Sequence, residues 1–167
     1  METIYSLVTK PINQNVAIIR ISGPETFNLI PELFKPATSI TGNTAEFRKL
    51  YDKEGNFIDD VIVLGFKNPN SFTGENLIEI QSHGNTFVVN KILKLIKETG
   101  IRIATPGEFS KQAYMNNKMD LTQADAINTL INAETELLAN AASKNLNAKQ
   151  SKVIDTQIES LASIISK

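Results

Sequence analysis

Two charged side chains interrupt the most apolar stretches of this 167-residue sequence. Arg20 lies within the run 16–22 (VAIIRIS), and Glu79 lies within 77–80 (LIEI). A charge inside an apolar strand is costly unless it is paired, so each side chain needs a partner of opposite charge or a solvent-exposed position. A ligand contact, a structural ion pair and a solvent-facing position are open for both, and the two side chains can also pair with each other.

Two further groups with chemical potential lie near predicted element boundaries. Lys118 follows two asparagines where the chain changes character, and such junctions often form ligand sites. An exposed surface lysine is the ordinary alternative. His83 is the one histidine and titrates nearest neutral pH. We expect it between a strand and a helix, where it contacts a ligand or braces the turn by a hydrogen bond, and the brace is the preferred interpretation.

The segment 68–74 (NPNSFTG) is rich in turn-forming residues and is predicted to be a loop. Its continuation, Ser71 to Glu75, can face a ligand or a second subunit. Alternatively it is plain turn chemistry, with Phe72 anchoring the loop in the core. The sequence leaves both interpretations open.

Hydrophobic periodicity in the first part of the chain predicts strands and helices in alternation. A helix is expected to begin at Pro24 and to present Phe27, Ile30, Leu33 and Phe34 on its apolar side. Strands are predicted at 3–8, 16–22, 44–51, 57–66, 77–81 and 101–104, and further helices at 86–98 and up to Met115. The predicted class is α+β, a mixed sheet that contains antiparallel pairs with helices packed on it.

From Thr122 the pattern becomes helical, which divides the chain into a domain at 1–118 and the start of a helical bundle at 119–167. Thr122 and Asp125 have the spacing of a capping box. An apolar stripe for packing follows up to Asn147, and a second amphipathic helix is predicted over 153–165. The stripe comprises Ile127, Leu130, Ile131 and Leu138. Because the last helix has no stop signal, we expect a piece of a longer protein; the alternative is a complete chain whose last helices pair in a dimer.

Composition excludes several classes of function. The chain is 41% hydrophobic, enough for one sizeable core, and its 17 basic and 18 acidic residues nearly cancel, which gives no support to tight nonspecific nucleic-acid binding. It has no cysteine, so thiolate metal sites and disulfides are excluded. No signal peptide and no apolar run near ~20 residues occurs, so we expect a soluble cytoplasmic protein without membrane contact.

Four stretches, in order and at similar spacing, carry a specific resemblance. They are 16–23 (VAIIRISG), 68–84 (NPNSFTGENLIEIQSHG), 106–109 (PGEF) and 117–126 (NKMDLTQADA). Together they resemble the tRNA wobble-uridine modification GTPases of the MnmE (TrmE) family. The similarity covers that family's N-terminal domain and the beginning of its helical domain.

The resemblance implies an aminomethyltransferase-like, folate-binding domain that forms a homodimer and binds 5-formyltetrahydrofolate or a related tetrahydrofolate. It places the folate contacts on Arg20, Glu79 and Lys118, and it implies no catalytic or metal-binding residue in this part. A carboxylate suits the N–H donors of a pterin, and cationic side chains suit the glutamate tail. The role of each residue stays open.

The family's wider activity depends on parts that this sequence does not contain. Its members, with an FAD-dependent partner called MnmG (GidA), install an aminomethyl-type group at carbon 5 of the wobble uridine of tRNA. GTP hydrolysis in a separate domain, with Mg²⁺ and K⁺, drives that cycle. No G-x-x-x-x-G-K-[ST] phosphate loop occurs here, so we expect neither GTP hydrolysis nor tRNA modification by this chain alone.

One departure and two alternatives remain. The loop 11–15 (PINQN) lacks the glycines that the family carries before the VAIIRISG-like strand, which leaves the ligand geometry on that side open. The chain can alternatively be a self-contained folate-dependent aminomethyl- or methyltransferase, or a non-enzymatic dimerisation scaffold.

Overall fold

The computed structural model describes residues 2–38, 40 and 42–147. Contacts between Cα atoms divide the chain between Asn116 and Asn117 into two compact units. The first unit contains a sheet and its covering helices. The described part of the second unit contains two helices.

The described residues of the first unit form a seven-stranded mixed sheet in the order β3-β4-β5-β6-β2-β1-β7. Neighbouring strands are antiparallel except β1 and β7, which are parallel. The predicted α+β class is confirmed. The elements in chain order are β1 (Ile4–Leu7), β2 (Gln14–Ser22), α1 (Ile30–Leu33), β3 (Phe34–Lys35), β4 (Thr44–Tyr51), β5 (Phe57–Phe66), β6 (Leu77–Gly84), α2 (Thr86–Lys97), β7 (Arg102–Ile103) and α3 (Glu108–Met115).

The core lies on one face of this sheet, under α2. Strand alternation sends every second residue of β2 into it and leaves Arg20 on the opposite face. Helix α2 is capped by the preceding residue, Asn85, whose side chain accepts a hydrogen bond from the backbone N–H of Phe87. These two elements and the central strands β5 and β6 contribute the following side chains to the hydrophobic core: Ala17, Ile19, Ile21, Val61, Val63, Ile78, Ile80, Val89, Ile92, Leu95 and Ile96.

Strands β4 and β5 are joined by a hairpin turn at residues 52–56. Gly55 has a φ of 83°, a left-handed conformation that favours glycine. The backbone N–H of Asp52 donates to the carbonyl of Asn56 over 2.9 Å, and the Asp52 carboxylate accepts from Asn56. The turn sets the register in which Lys49 lies opposite Asp60.

The helix predicted from Pro24 is wrong in extent. Residues 24–29 form successive turns closed by hydrogen bonds between residues three positions apart. In one of them the N–H of Asn28 donates to the carbonyl of Glu25 over 3.1 Å. Helix α1 covers only Ile30–Leu33, and Phe34 already belongs to β3. Pro31 has no N–H to donate to the carbonyl four residues earlier, so a longer regular helix loses a bond at that point.

Strand β6 is longer than predicted, because its pairing with β2 continues to Gly84 opposite Gln14. His83 is therefore a strand residue. The prediction that it lies between a strand and a helix is wrong.

The second unit contains α4 (Leu121–Ile131) and α5 (Glu136–Asn147). Its capping box is Asp120 with Gln123, and the prediction of Thr122 with Asp125 is wrong by two residues. The Asp120 carboxylate accepts from the Gln123 N–H over 2.8 Å, and the Gln123 side chain accepts from the Asp120 N–H over 3.0 Å. A carboxylate one residue before the helix can reach the free N–H groups of its first turn, which a residue inside that turn cannot do as well.

The predicted continuous apolar stripe is interrupted at 132–135, between α4 and α5. The Gln123 side chain donates to the carbonyl of Leu146 over 3.2 Å, so the start of α4 lies beside the end of α5. Ala126 and Ala142 are buried, whereas Ile131 is 76% exposed and Leu138 is 44% exposed. These two side chains are not packed within the described residues, and their packing in a longer bundle stays a prediction. The helix predicted over 153–165 lies outside the described residues.

Candidate ligand-binding site

Arg20 and Glu79 are paired directly across strands β2 and β6. The Nε and Nη2 atoms of Arg20 donate to the same oxygen, Glu79 Oε1, over 2.9 and 2.6 Å. The two side chains keep 19% and 18% of their surface exposed, so the pair is half-buried. The interpretation in which the two residues pair with each other is confirmed.

Two aromatic rings contact the Arg20 guanidinium. Its central carbon lies 5.0 Å from the ring centroid of Phe72 and 5.4 Å from that of Phe109. Both distances fall within the range of cation–π attraction, which is about 0.5–1 kcal/mol at an exposed site and more when water is excluded. Phe72 keeps 36% of its surface exposed, so the interpretation that anchors it in the core is wrong.

The loop that carries Phe72 is fixed to β2 by its neighbour Thr73. The hydroxyl groups of Thr73 and Ser22 are 2.7 Å apart, and both residues are fully buried. The side chain of Asn116 donates to the carbonyl of Thr73 over 2.8 Å. Ser22 and Arg20 lie on the same face of β2, so anchoring Thr73 over one brings Phe72 to the other.

Phe109 is delivered by the turn before α3, which is fixed by a carboxylate. Glu108 accepts from Arg102 Nη2 over 2.7 Å and from the backbone N–H of Thr105 over 2.7 Å. The Arg102 hydrogen bond and the N–H of Thr105 hold the pKa of Glu108 at about 2. Gly107 has a φ of 78°, which favours glycine at this position of the PGEF stretch.

A cleft of about 230 Å³ lies beside Arg20. Its lining residues come from the end of β1 and the residue after it, from β2, from the turn before α3 and from the first turn of α3. They are Ser6, Leu7, Val8, Arg20, Ala104, Thr105, Pro106, Gly107 and Phe109. A cleft of about 540 Å³ elsewhere is lined by the carboxylates Glu2, Glu25 and Glu32 and by Arg102, whose three guanidinium nitrogens all donate hydrogen bonds within the protein. The smaller cleft is lined by the guanidinium of Arg20 and the ring of Phe109, so it is the better candidate for an organic anion.

Lys118 belongs to the second unit and is exposed. It follows Asn117, whose φ of 54° is left-handed. The structure thus brings Arg20 and Glu79 together within the first unit, and the contribution of Lys118 to the same site stays a prediction, as does folate binding by all three.

His83 forms a hydrogen-bonded pair with the buried Asp59 of strand β5. Its Nδ1 atom lies 2.7 Å from Asp59 Oδ1, and its backbone N–H donates to Asp59 Oδ2 over 2.9 Å. The hydrogen bond to Asp59 raises the pKa of His83 above its ordinary value. The imidazole is otherwise 74% exposed.

The sheet face that bears Arg20 also carries exposed apolar side chains. Val16 on β2, Phe47 on β4 and Ile62 on β5 are 50%, 67% and 43% exposed. They border a second cleft of about 210 Å³, which His83 also lines. Exposed apolar patches of this kind usually mark interaction surfaces.

Within residues 2–38, 40 and 42–147, no group of three histidine, cysteine, aspartate or glutamate side chains is arranged to hold a metal ion. No helix in the same residues is long and apolar enough to cross a bilayer.

A mixed sheet with a half-buried arginine–glutamate pair, two aromatic contacts and an adjoining cleft defines an α+β domain with a candidate ligand site. The chain belongs to the family described as GTP-binding protein TrmE N-terminus, whose model matches residues 3–118. The family predicted from the four sequence stretches is confirmed.

Curated relatives carry the name tRNA modification GTPase MnmE. The protein of Malacoplasma penetrans is 43% identical over 145 residues, 87% of this chain and 32% of the relative. The Mycoplasmoides gallisepticum protein is 42% identical over 153 residues, which are 92% of this chain and 34% of the relative. The Aquifex aeolicus protein is 37% identical over 164 residues, which are 98% of this chain and 37% of the relative. The chain therefore spans about a third of the length of these relatives.

Proposed function

We propose that this chain is the tetrahydrofolate-binding and dimer-forming module of a tRNA wobble-uridine modification GTPase. The supporting observation is the half-buried pair of Arg20 and Glu79 beside a cleft. The relatives' name, tRNA modification GTPase MnmE, supports the wider setting. In that setting, which we place in the cytoplasm, GTP with Mg²⁺ and K⁺, the FAD-dependent partner MnmG and tRNA act with other parts of the longer protein.

The geometry of the pair fits the chemistry of a pterin. Both donors of Arg20 bind Glu79 Oε1, and among the described residues Glu79 Oε2 and Arg20 Nη1 have no hydrogen-bond partner. An acceptor and a donor are thus free side by side. The amino and ring N–H groups of a pterin are donors, and its ring carbonyl is an acceptor, so one heterocycle edge can satisfy both.

The bound folate supplies a one-carbon group, and the residues of this chain bind and orient it. Glu79 accepts from the pterin edge, Arg20 donates to it, and Lys118 supplies a cation for the glutamate tail. Arg20 is the better residue for a planar partner, because its guanidinium donors lie in a fixed fork.

Homodimerisation accounts for two further features. The cleft of about 230 Å³ is smaller than the roughly 300–1,000 Å³ of typical small-molecule pockets. A second copy that covers the sheet face would enclose more of the ligand. The exposed side chains of Val16, Phe47 and Ile62 on that face give such a copy an apolar surface to bury.

Isothermal titration with 5-formyltetrahydrofolate tests the ligand proposal. Glu79→Gln should weaken binding by about 10-fold or more, since a charged hydrogen bond contributes about 1.5–3 kcal/mol. The matched control is Glu54→Gln, the same change at an exposed position in the turn between β4 and β5. Wild-type protein that is folded and does not bind, or equal losses in both variants, would contradict the proposal.

Sedimentation equilibrium tests the dimer separately. Phe47→Asp places a charge on the proposed interface and should raise the dimer dissociation constant by at least about tenfold. Phe87→Asp is the control, because Phe87 is 79% exposed on α2, which packs against the other face of the sheet. A wild-type monomer at all concentrations, or equal dissociation of both variants, would refute this interface.

A further inference from the structure

Phe72 and Phe109 come from segments 37 residues apart in sequence, and both rings lie near the guanidinium of Arg20. We propose that these two phenylalanines are positioning residues that hold Arg20 in the orientation needed for ligand recognition. The inference rests on the proposed function, because the recognised ligand is the pterin group of a folate.

Core packing does not account for either ring. The hydrophobic core and the partly buried side chains packed against it include neither Phe72 nor Phe109. The rings instead lie on the face of β2 opposite the core, where Arg20 is found. Their shared neighbour is a cation, and the negative face of an aromatic ring attracts a cation.

Each ring is held by a dedicated polar anchor next to it in sequence. Thr73 is bonded to Ser22 over 2.7 Å, which fixes Phe72. Glu108 is bonded to Arg102 and to the N–H of Thr105, which fixes Phe109. A mobile loop would lose conformational entropy when its ring contacted Arg20. The anchored loops hold both rings beside Arg20 before the ligand binds, which avoids this cost.

Ligand binding makes this positioning necessary. In the free protein Glu79 Oε1 accepts both hydrogen bonds from Arg20. A ligand that draws on the Glu79 carboxylate weakens those bonds, and an unanchored guanidinium would then turn toward water. A cation–π contact has no single donor–acceptor direction, so Arg20 can shift toward the ligand while both rings keep it in the cleft.

Titration calorimetry of the whole 167-residue chain with 5-formyltetrahydrofolate tests the proposal. Phe72→Leu and Phe109→Leu should each weaken binding by about 3- to 10-fold, the size of one cation–π contact. Phe72→Tyr and Phe109→Tyr keep the aromatic face and should restore binding to within about twofold of wild type. Phe87→Leu, at a position on α2 that is 79% exposed, is the control and should bind as wild type does.

The Arg20 Nε–H signal in a ¹⁵N NMR spectrum supplies a readout without ligand. Ring currents should shift it in wild type, and each leucine variant should remove part of that shift. Leucine variants that bind as tightly as wild type, or tyrosine variants as weak as the leucine variants, would overturn the positioning role while leaving folate binding intact. A wild-type protein that does not bind the folate would overturn the proposed function and this inference with it.

Discussion

The hydroxyl groups of Ser22 and Thr73 meet 2.7 Å apart in the interior of the first unit. Ser22 ends strand β2, two residues after Arg20, and Thr73 immediately follows Phe72. One buried hydrogen bond thus joins the strand that holds the cation to the loop that holds its aromatic neighbour.

This bond should appear as an energetic coupling. Ser22→Ala or Thr73→Val alone leaves a buried hydroxyl without its partner and should lower the free energy of unfolding by about 1–3 kcal/mol. The double variant should lose about 1 kcal/mol less than the sum of the two single losses, because it leaves neither hydroxyl buried without its partner. Urea unfolding of the four proteins measures the cycle, with exposed Thr44→Val as control. Strictly additive losses would show that the two hydroxyls do not interact.

Gly23 should not tolerate a side chain. Its φ is 140°, and an added Cβ would lie 2.4 Å from the Cα of Thr3, which is backbone and cannot yield cheaply. Gly23→Ala should therefore lower the free energy of unfolding by about 3 kcal/mol or more. Gly42→Ala meets nothing within 4 Å and is the matched control. Equal thermal midpoints for the two variants would contradict the close approach of β1 to the end of β2.

Glu108 should make stability depend on pH in the acid range. Its pKa of about 2 lies below the ordinary 4.5, so its stabilisation is present above pH 4.5 and is lost as the pH falls toward 2. The loss should be at most about 1 kcal/mol, because Arg102 is exposed and solvent screens the pair. Urea unfolding at pH 5.5 and 2.5 measures it. Between these two pH values the free energy of unfolding of Glu108→Gln should decrease less than that of wild type, whereas that of Glu54→Gln, in the exposed hairpin, should decrease as much as that of wild type. An equal decrease for Glu108→Gln and wild type would exclude Glu108 as the origin.

His83 should titrate above its ordinary pKa of 6.5, because Asp59 stabilises the imidazolium. The stabilisation from this pair is then complete below pH 6.5 and is lost as the pH rises through the folded-state pKa. The chain has one histidine, so a single NMR signal follows the titration. Asp59→Asn should lower the pKa markedly and Asp60→Asn only slightly. A pKa at or below 6.5 in wild type would show that the bond does not persist in solution.

Hydrophobic periodicity was sufficient to predict the α+β class. The structure shows that Arg20 lies opposite the core, and backbone pleating explains which residues of β2 share its face. The sequence left the pairing of Arg20 with Glu79 as one of several possibilities. The helix at Pro24 and the capping box at Thr122 were misplaced, because similar apolar spacing and similar polar residues fit several registers. Only the backbone hydrogen bonds distinguish those registers.

The sequence by itself determined the family, the main strands and the two charged residues of the candidate site, because these depend on local pattern and on the order of motifs. The tertiary structure decided that Arg20 meets Glu79 through one oxygen and that Phe72 and Phe109 lie beside it. Those contacts join segments tens of residues apart, and their distances depend on sheet register and on the anchors at Thr73 and Glu108. No local propensity encodes such distances, since they arise when the whole sheet assembles.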